Sequence, residues 1–418
     1  MSGGYRALLR ENADFRRLWL GQVVSLLGDW FNLVATSTLI ESLTGSGAAV
    51  GQLFALRMLA PFVVSPLAGV VADRFDRRRV LLVTDVLRAV VVLGFLLVRD
   101  RGDVPLLYVL TFVQLALSGF FFPAYRAVLP DLVRPHELGA ANALGAATWS
   151  TMLALGAACG GWFAGRFGVS SAFVVDAATF VVSAGLLARI ATPSQSGAAA
   201  AGRGVRGAVR DYADGLGYLR AHRDVLFVAL HKTANALCVA GGFQVVQTAL
   251  AQREFVIGKD GSTGLGLIWA AVGIGTGVGP IAVRRMLGDE PRRLRRALAV
   301  SYLCSSLGLA TVGIAASFPV VLVGALLRGI GAGVGWVFST QLLLVLVPGR
   351  VRGRVFAAEF ALLTLASAAG SWLAGRGIDV PALGTRGALF VMAAAALIPA
   401  ALWTAWTLRH PEGGPPRD

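Results

Sequence analysis

The chain has 418 residues, of which 56% are hydrophobic and only 15% are charged, and its mean hydropathy is +0.69. Such a chain is too apolar for a water-soluble protein and too long for a simple anchor, so the composition predicts a polytopic membrane protein. The net charge of +15 raises the question of nucleic-acid binding. The basic residues, however, are spread over short segments and form no contiguous solvated tail, so we expect no nucleic-acid partner.

Twelve apolar runs are each long enough to cross a bilayer. They are predicted as helices 1 to 12 near residues 18–41, 48–71, 80–98, 104–125, 138–164, 169–190, 224–250, 263–283, 295–316, 319–347, 355–375 and 385–408. A segment rich in Ser, Gly, Ala and Arg lies between helices 6 and 7. We interpret 193–223 as a cytoplasmic linker between an N-terminal six-helix bundle, 1–192, and a C-terminal one, 224–418.

The distribution of positive charge predicts the topology. With both termini inside, 27 of the 38 basic residues fall in cytoplasmic segments, seven in outer loops and four within spans. The positive-inside rule therefore favours an even number of crossings of the cell (inner or plasma) membrane, with both ends in the cytoplasm.

Neither a metal nor any other cofactor is expected, and we expect no enzyme activity. The cysteines Cys159, Cys238 and Cys304 all lie in apolar runs and lack the spacing of a metal site or a disulfide framework. The chain has no G-x-x-x-x-G-K-[ST] motif, and no soluble segment is long enough for an ATPase domain.

The most charged short loop joins helices 2 and 3 and reads G-V-V-A-D-R-F-D-R-R-R from Gly69 to Arg79. A Gly, an Asp four residues later, then an Arg and a basic cluster resemble the loop between helices 2 and 3 of the major facilitator superfamily. Asp76 stands where that family usually has a second Gly, and this variant is similar to the macrolide-efflux and enterobactin-exporter branch. The matching motif residues are Gly69, Asp73, Arg74, Arg77 and Arg78.

The resemblance extends over residues 14–408 and implies an all-α membrane protein with twelve transmembrane helices in two pseudo-symmetric six-helix bundles. It also implies that Asp73 and the loop arginines hold helices 2, 4 and 11 together in one of two access states. The implied function is secondary active transport by alternating access, with proton-coupled efflux of a small amphipathic compound of the drug, macrolide or siderophore type. A nutrient or metabolite uptake permease and a non-transporting binding or regulatory module are the alternatives. The expected partners are a small-molecule substrate, the proton and the lipid bilayer, and a monomer is expected.

Helix 5 carries a glycine motif, L-G-A-A-C-G-G-W-F-A-G from Leu155, with Gly156, Gly160 and Gly161. It resembles the helix-5 motif of family members that exchange a proton for an outgoing drug, except that Ala157 replaces the usual proline. Small residues at this spacing also let helices approach closely, so simple helix packing explains the glycines equally well.

Charged residues inside the spans are candidate functional residues because each is costly in a bilayer unless it faces a partner or water. Asp29 in helix 1 and Arg57 in helix 2 are predicted at similar depth, as a proton-coupling carboxylate with its modulating cation or as a permanent structural pair. Asp176 in helix 6 and Glu359 in helix 11 are further coupling candidates.

Other polar and aromatic residues in the spans are assigned by position. Asp85 and Arg88 share a face of helix 3 and are expected to pair at the membrane interface, and Glu41 is expected to be solvated at the outer end of helix 1. The remaining candidates for a substrate cavity are Trp30, Asn142, Lys232 and Arg328.

Overall fold

The computed structural model describes residues 3–191, 205–288 and 290–409, and the side chain of Asp73 is not among those it describes. In this part of the chain twelve helices are long and apolar enough to cross a membrane. Helices 1 to 12 span Ala13–Thr44, Gly47–Ala72, Arg77–Leu97, Arg101–Leu132, Leu138–Phe167, Val169–Leu187, Arg223–Glu254, Lys259–Leu287, Arg292–Gly313, Phe318–Leu346, Gly349–Ile378 and Gly384–Arg409. The predicted fold class is confirmed.

Two shorter helices accompany the spans. An N-terminal helix, Gly3–Glu11, precedes helix 1, and its Leu8 is buried. The Asn12 amide, between the two helices, donates to the carbonyl oxygen of Leu132 at 2.6 Å. A linker helix, Val205–Ala221, precedes helix 7.

Several spans contain a wider, π-helical turn. One lies in helix 5 at Met152–Gly156, and two lie in helix 7 at Ala236–Ala240 and Leu250–Glu254. An extra residue in a turn rotates the following side chains around the helix, and such turns are frequent at functional sites. Proline and glycine positions alone do not predict them, so these turns were not expected from the sequence.

The chain forms two compact units, and the first consists of Met1–Thr44, Leu59–Ala208 and Val256–Gly266. Its apolar core gathers Phe15 and Leu18 of helix 1 with Leu81 of helix 3 and Val128 of helix 4. Helices 1 and 6 approach closely at Gly28, because a side chain there would meet Thr179 and Asp176.

The second unit consists of Gly45–Met58, Val209–Phe255 and Leu267–Asp418. Helices 9 and 10 are in backbone contact at Gly308 and Gly324, where a Cβ atom would lie 2.6 to 2.7 Å from carbonyl oxygens of the facing helix. The linker helix lies against helix 11, where Arg354 pairs with Asp211 at 3.1 Å and with Asp214 at 3.5 Å. The predicted boundary of the two bundles stays a prediction.

Candidate functional site

A buried ion pair joins two helices of the second unit. The Lys232 ammonium of helix 7 lies 3.0 Å from the Glu359 carboxylate of helix 11, and the two side chains are only 6% and 4% exposed. The Lys232 nitrogen also lies 4.7 Å from the ring centre of Trp336 and 6.0 Å from that of Phe356. Aromatic faces attract cations, so the ammonium is held by one carboxylate and two rings and is shielded from lipid.

His231 lies beside this pair and was not singled out from the sequence. Its ring makes edge contacts with Tyr302 and Trp403, with centroids 4.5 and 5.4 Å apart. The Tyr302 hydroxyl donates to the His231 carbonyl oxygen at 2.7 Å, while the buried Nδ1 atom has no hydrogen-bond partner among the described residues. A histidine in an apolar span was the only available sequence signal.

Arg328 of helix 10 is also buried, at 7% exposure. Its guanidinium carbon lies 5.2 Å from the ring centre of Phe243 on helix 7. The sequence thus named three residues, Lys232, Arg328 and Glu359, that the structure places on helices 7, 10 and 11 of one unit.

The candidates near helix 1 lie in a second environment. Asp29 and Trp30 are half-buried, and the Trp30 ring contacts helix 5, since a Cβ atom on Gly156 would lie 2.8 Å from it. Asp176 is fully buried. The pairing of Asp29 with Arg57 stays a prediction.

Two expectations about charged residues of the first unit have different outcomes. Asp85 and Arg88 do pair, and at 0% and 1% exposure both residues are buried within the first unit. Their place at the membrane interface stays a prediction. The guanidinium is covered by the rings of Phe121 and Phe180 at 4.5 and 4.3 Å. The expectation that Glu41 is solvated was wrong, because its side chain is packed inside the protein and is only 3% exposed.

The glycine motif of helix 5 lies at close helix contacts. A Cβ atom on Gly160 would come within 3.0 Å of the Phe31 backbone in helix 1, and one on Gly161 within 2.6 Å of Gly266 in helix 8. These distances require glycine for packing alone. The antiporter interpretation of the motif stays a prediction.

In the loop between helices 2 and 3, the arginines bind the ends of neighbouring helices. Arg77 pairs with Asp131 of helix 4 at 3.0 Å and also donates to the Ala127 carbonyl oxygen at 3.1 Å. Arg78 donates to the carbonyl oxygens of Leu187 and Ala188 at the end of helix 6. Contact with helix 4 agrees with the role implied for this loop, contact with helix 6 was not expected, and contact with helix 11 stays a prediction.

The remaining loop residues have simpler surroundings. Asp76 caps helix 3, since its carboxylate accepts from the Arg79 amide at 2.8 Å, which gives the variant residue a structural role. Arg74 is exposed, and Gly69 has open space where a side chain would lie. Asn142, at the start of helix 5, is exposed and donates to the Leu138 carbonyl oxygen of its own helix at 3.0 Å. Its role in a substrate cavity stays a prediction.

A polar contact in the second unit joins the start of helix 2 to the end of helix 11. The Asp379 carboxylate accepts hydrogen bonds from the Ser46 hydroxyl and the Gly47 amide, both at 2.7 Å, and from the Ala48 amide at 2.9 Å. Burial raises the pKa of Asp379, but these hydrogen bonds and the charge of Arg253 outweigh it, so the pKa lies below its usual value.

Twelve membrane-crossing helices with ion pairs buried inside them define a multi-pass membrane transporter. The chain belongs to the Major Facilitator Superfamily, whose family model matches residues 18–371.

Relatives in sequence agree with this assignment. The chain is 29% identical over 372 residues to the protein of Bacillus amyloliquefaciens called "Putative bacilysin exporter BacE", covering 87% of this chain and 88% of that one. It is 27% identical over 392 residues to the "Uncharacterized MFS-type transporter Rv0037c" of Mycobacterium tuberculosis, covering 85% and 82%.

Solved structures show the same fold at low sequence identity. A bacterial homologue of the human lysosomal transporter Spinster, inward-facing and occupied, matches with a TM-score of 0.74 at 13% identity and covers 98% of each chain. The nucleoside transporter NupG matches with a TM-score of 0.72 at 11% identity, covering 94% of this chain and 98% of that one.

Proposed function

We propose that the protein is a proton-coupled exporter of a small amphipathic compound, works by alternating access, and couples transport to the proton at Glu359. The observation that carries the proposal is the Lys232 and Glu359 pair, buried between helices 7 and 11 beneath the rings of Trp336 and Phe356. The export direction is supported by the name of the Bacillus relative. The same proposal includes membership of the branch of macrolide and siderophore exporters. It also includes a monomeric state and a location in the cell membrane with both termini in the cytoplasm.

The pair provides a physical basis for coupling. While Lys232 and Glu359 touch, each neutralises the other inside an apolar unit. A movement of helix 7 against helix 11 would leave the carboxylate buried without its counter-ion, and a buried carboxylate in that situation is neutralised by a proton. Proton uptake would then favour one conformation and proton release the other, which is the population shift that coupling needs.

Asp29 with Arg57, and Asp176, are the competing coupling sites. Glu359 is preferred because its cationic partner, Lys232, lies 3.0 Å away on a different helix of the same unit. Such a pair can be broken by helix movement, whereas Asp85 and Arg88 sit three residues apart on one helix and stay together when it moves.

The test uses inverted membrane vesicles that carry a proton gradient reported by a quenched acridine dye, challenged with erythromycin and a panel of amphipathic compounds. Addition of a substrate should release protons through the wild-type protein and restore the dye fluorescence. Glu359→Gln should abolish this response and keep substrate exchange without a gradient. Asp85→Asn is the matched control, because it also removes the charge of a buried carboxylate. The fraction of this variant that folds should still restore the dye fluorescence when substrate is added.

Two outcomes count against the proposal. Retention of gradient-driven transport in Glu359→Gln, with its loss in Asp29→Asn, would move the coupling site to helix 1. Equal transport by the wild-type protein with and without the proton gradient would show that transport is not coupled to protons.

A further inference from the structure

Arg328 differs from the other buried cations of the described chain. The buried Lys and Arg side chains are Arg88, Lys232, Arg295 and Arg328. The first three each interact with an acid, respectively Asp85, Glu359 and Asp224. Arg328 forms no ion pair with the described residues and donates no hydrogen bond to any of them, and its Nε atom is buried without an acceptor. A cation inside a membrane span with no counter-ion marks a place where a charged partner binds.

A second unsatisfied polar group lies on the helix that Arg328 faces. Phe243, whose ring packs against the Arg328 guanidinium, is on helix 7. Gln247 follows one turn later and therefore lies on the same face of that helix. Gln247 is 0% exposed, and neither its Oε1 nor its Nε2 atom has a hydrogen-bond partner among the described residues. Buried side-chain amides normally have hydrogen-bond partners. The unsatisfied amide of Gln247 is therefore a second observation, besides the unpaired Arg328, that indicates a missing ligand.

We propose that Arg328 and Gln247 form an anion-binding subsite that holds a carboxylate of the transported compound. A guanidinium donates two parallel hydrogen bonds to a carboxylate, and the amide nitrogen of Gln247 supplies a further donor. The Phe243 ring provides an apolar surface for the body of an amphipathic ligand. The inference rests on the proposed transport function and names the charge of its substrate.

A purely structural Arg328 would leave a different signature. If the residue only packs on Phe243, its removal loses a contact and lowers the melting temperature. If it is a binding residue held without a counter-ion, Arg328→Gln removes an uncompensated buried charge and raises the melting temperature of the ligand-free protein. Arg88→Gln is the control for a paired cation and should lower it.

The experiment measures thermal shifts of the full-length protein in nanodiscs with benzoate, phenylacetate and octanoate, each compared with its methyl ester. The carboxylates should stabilise the wild-type protein and the esters should not. Arg328→Gln should weaken carboxylate binding by about tenfold or more, as expected for lost hydrogen bonds to a charged group. Arg328→Lys, which keeps the charge without the planar fork, should retain part of the binding.

Equal responses to acids and esters, or no response to either, would overturn the proposal, and so would Arg328→Gln binding the carboxylates within about twofold of wild type. Because binding needs no gradient, the thermal shifts of the wild-type protein with the carboxylates can be measured whether or not the dye assay shows proton coupling. A failure of proton coupling can therefore be told apart from a failure of the anion subsite.

Discussion

The contact of Asp379 with the start of helix 2 leads to a quantitative prediction. The first backbone amides of a helix have no partner in the helix itself, and here those of Gly47 and Ala48 donate to the carboxylate of Asp379, which directly follows helix 11. Ser46 completes the cap, because its hydroxyl donates to Asp379 and accepts from the Ala49 amide at 3.3 Å. Asp379→Ala should therefore release the first turn of helix 2.

The magnitude follows from known capping energies. Loss of a capping acceptor costs about 0.5–2 kcal/mol. Because Asp379 is exposed, we expect a loss of about 1 kcal/mol here. This loss raises the equilibrium constant for opening of the first turn about fivefold. Hydrogen-exchange mass spectrometry on the peptide 45–58 should show exchange of the first-turn amides accelerated by roughly that factor. If the transporter alternates access as proposed, the same change favours the state in which these two helix ends are apart.

The same contact should be sensitive to acid. The Asp379 pKa is lower in the folded protein than in the unfolded chain, so its contribution to stability is complete above the unfolded value of about 4 and is lost as the pH falls through the folded value. Protection of the peptide should decline over that acidic range in wild type and stay flat in Asp379→Ala.

The matched control is Asp103→Ala, which removes another capping carboxylate, one that accepts from the Arg99 and Asp100 amides. It should leave the exchange of 45–58 unchanged. An unaltered exchange rate in Asp379→Ala would refute the capping argument.

Three further predictions concern topology, the ion pair and the loop. A reporter fused after Arg203 should report cytoplasm and one inserted near Gly258 should report the outside, and the reverse at either position would contradict the topology. Lys232→Gln should destabilise the folded protein by about 3–5 kcal/mol because it strands a buried carboxylate, while the double variant with Glu359→Gln should recover most of that loss in thermal unfolding; equal losses would show that the pair is not coupled. Asp76→Ala should cost about 1 kcal/mol through loss of the helix 3 cap, whereas Asp76→Gly should cost only a few tenths, and equal losses would argue against a capping role.

The sequence predicted the elements well because each is specified locally. Twelve apolar runs set twelve spans, since a lipid-exposed backbone must satisfy its own hydrogen bonds within a helix. The loop from Gly69 to Arg79 was enough to indicate the superfamily. The helix ends were less accurate, since helix 1 extends three residues beyond its predicted end at residue 41. The burial of Glu41, by contrast, depends on what packs against it, which the sequence does not show.

The partners of the buried charges were decided only by the tertiary structure. Lys232 and Glu359 are 127 positions apart, and no local pattern shows that they meet, because their distance depends on how helices 7 and 11 pack. Asp379 caps a helix more than 300 residues earlier in the chain for the same reason. The sequence by itself determined how many helices cross the membrane and which residues inside them carry charge. Only the packing of the helices decided which charges neutralise one another and which, like Arg328, are buried without a counter-ion among the described residues.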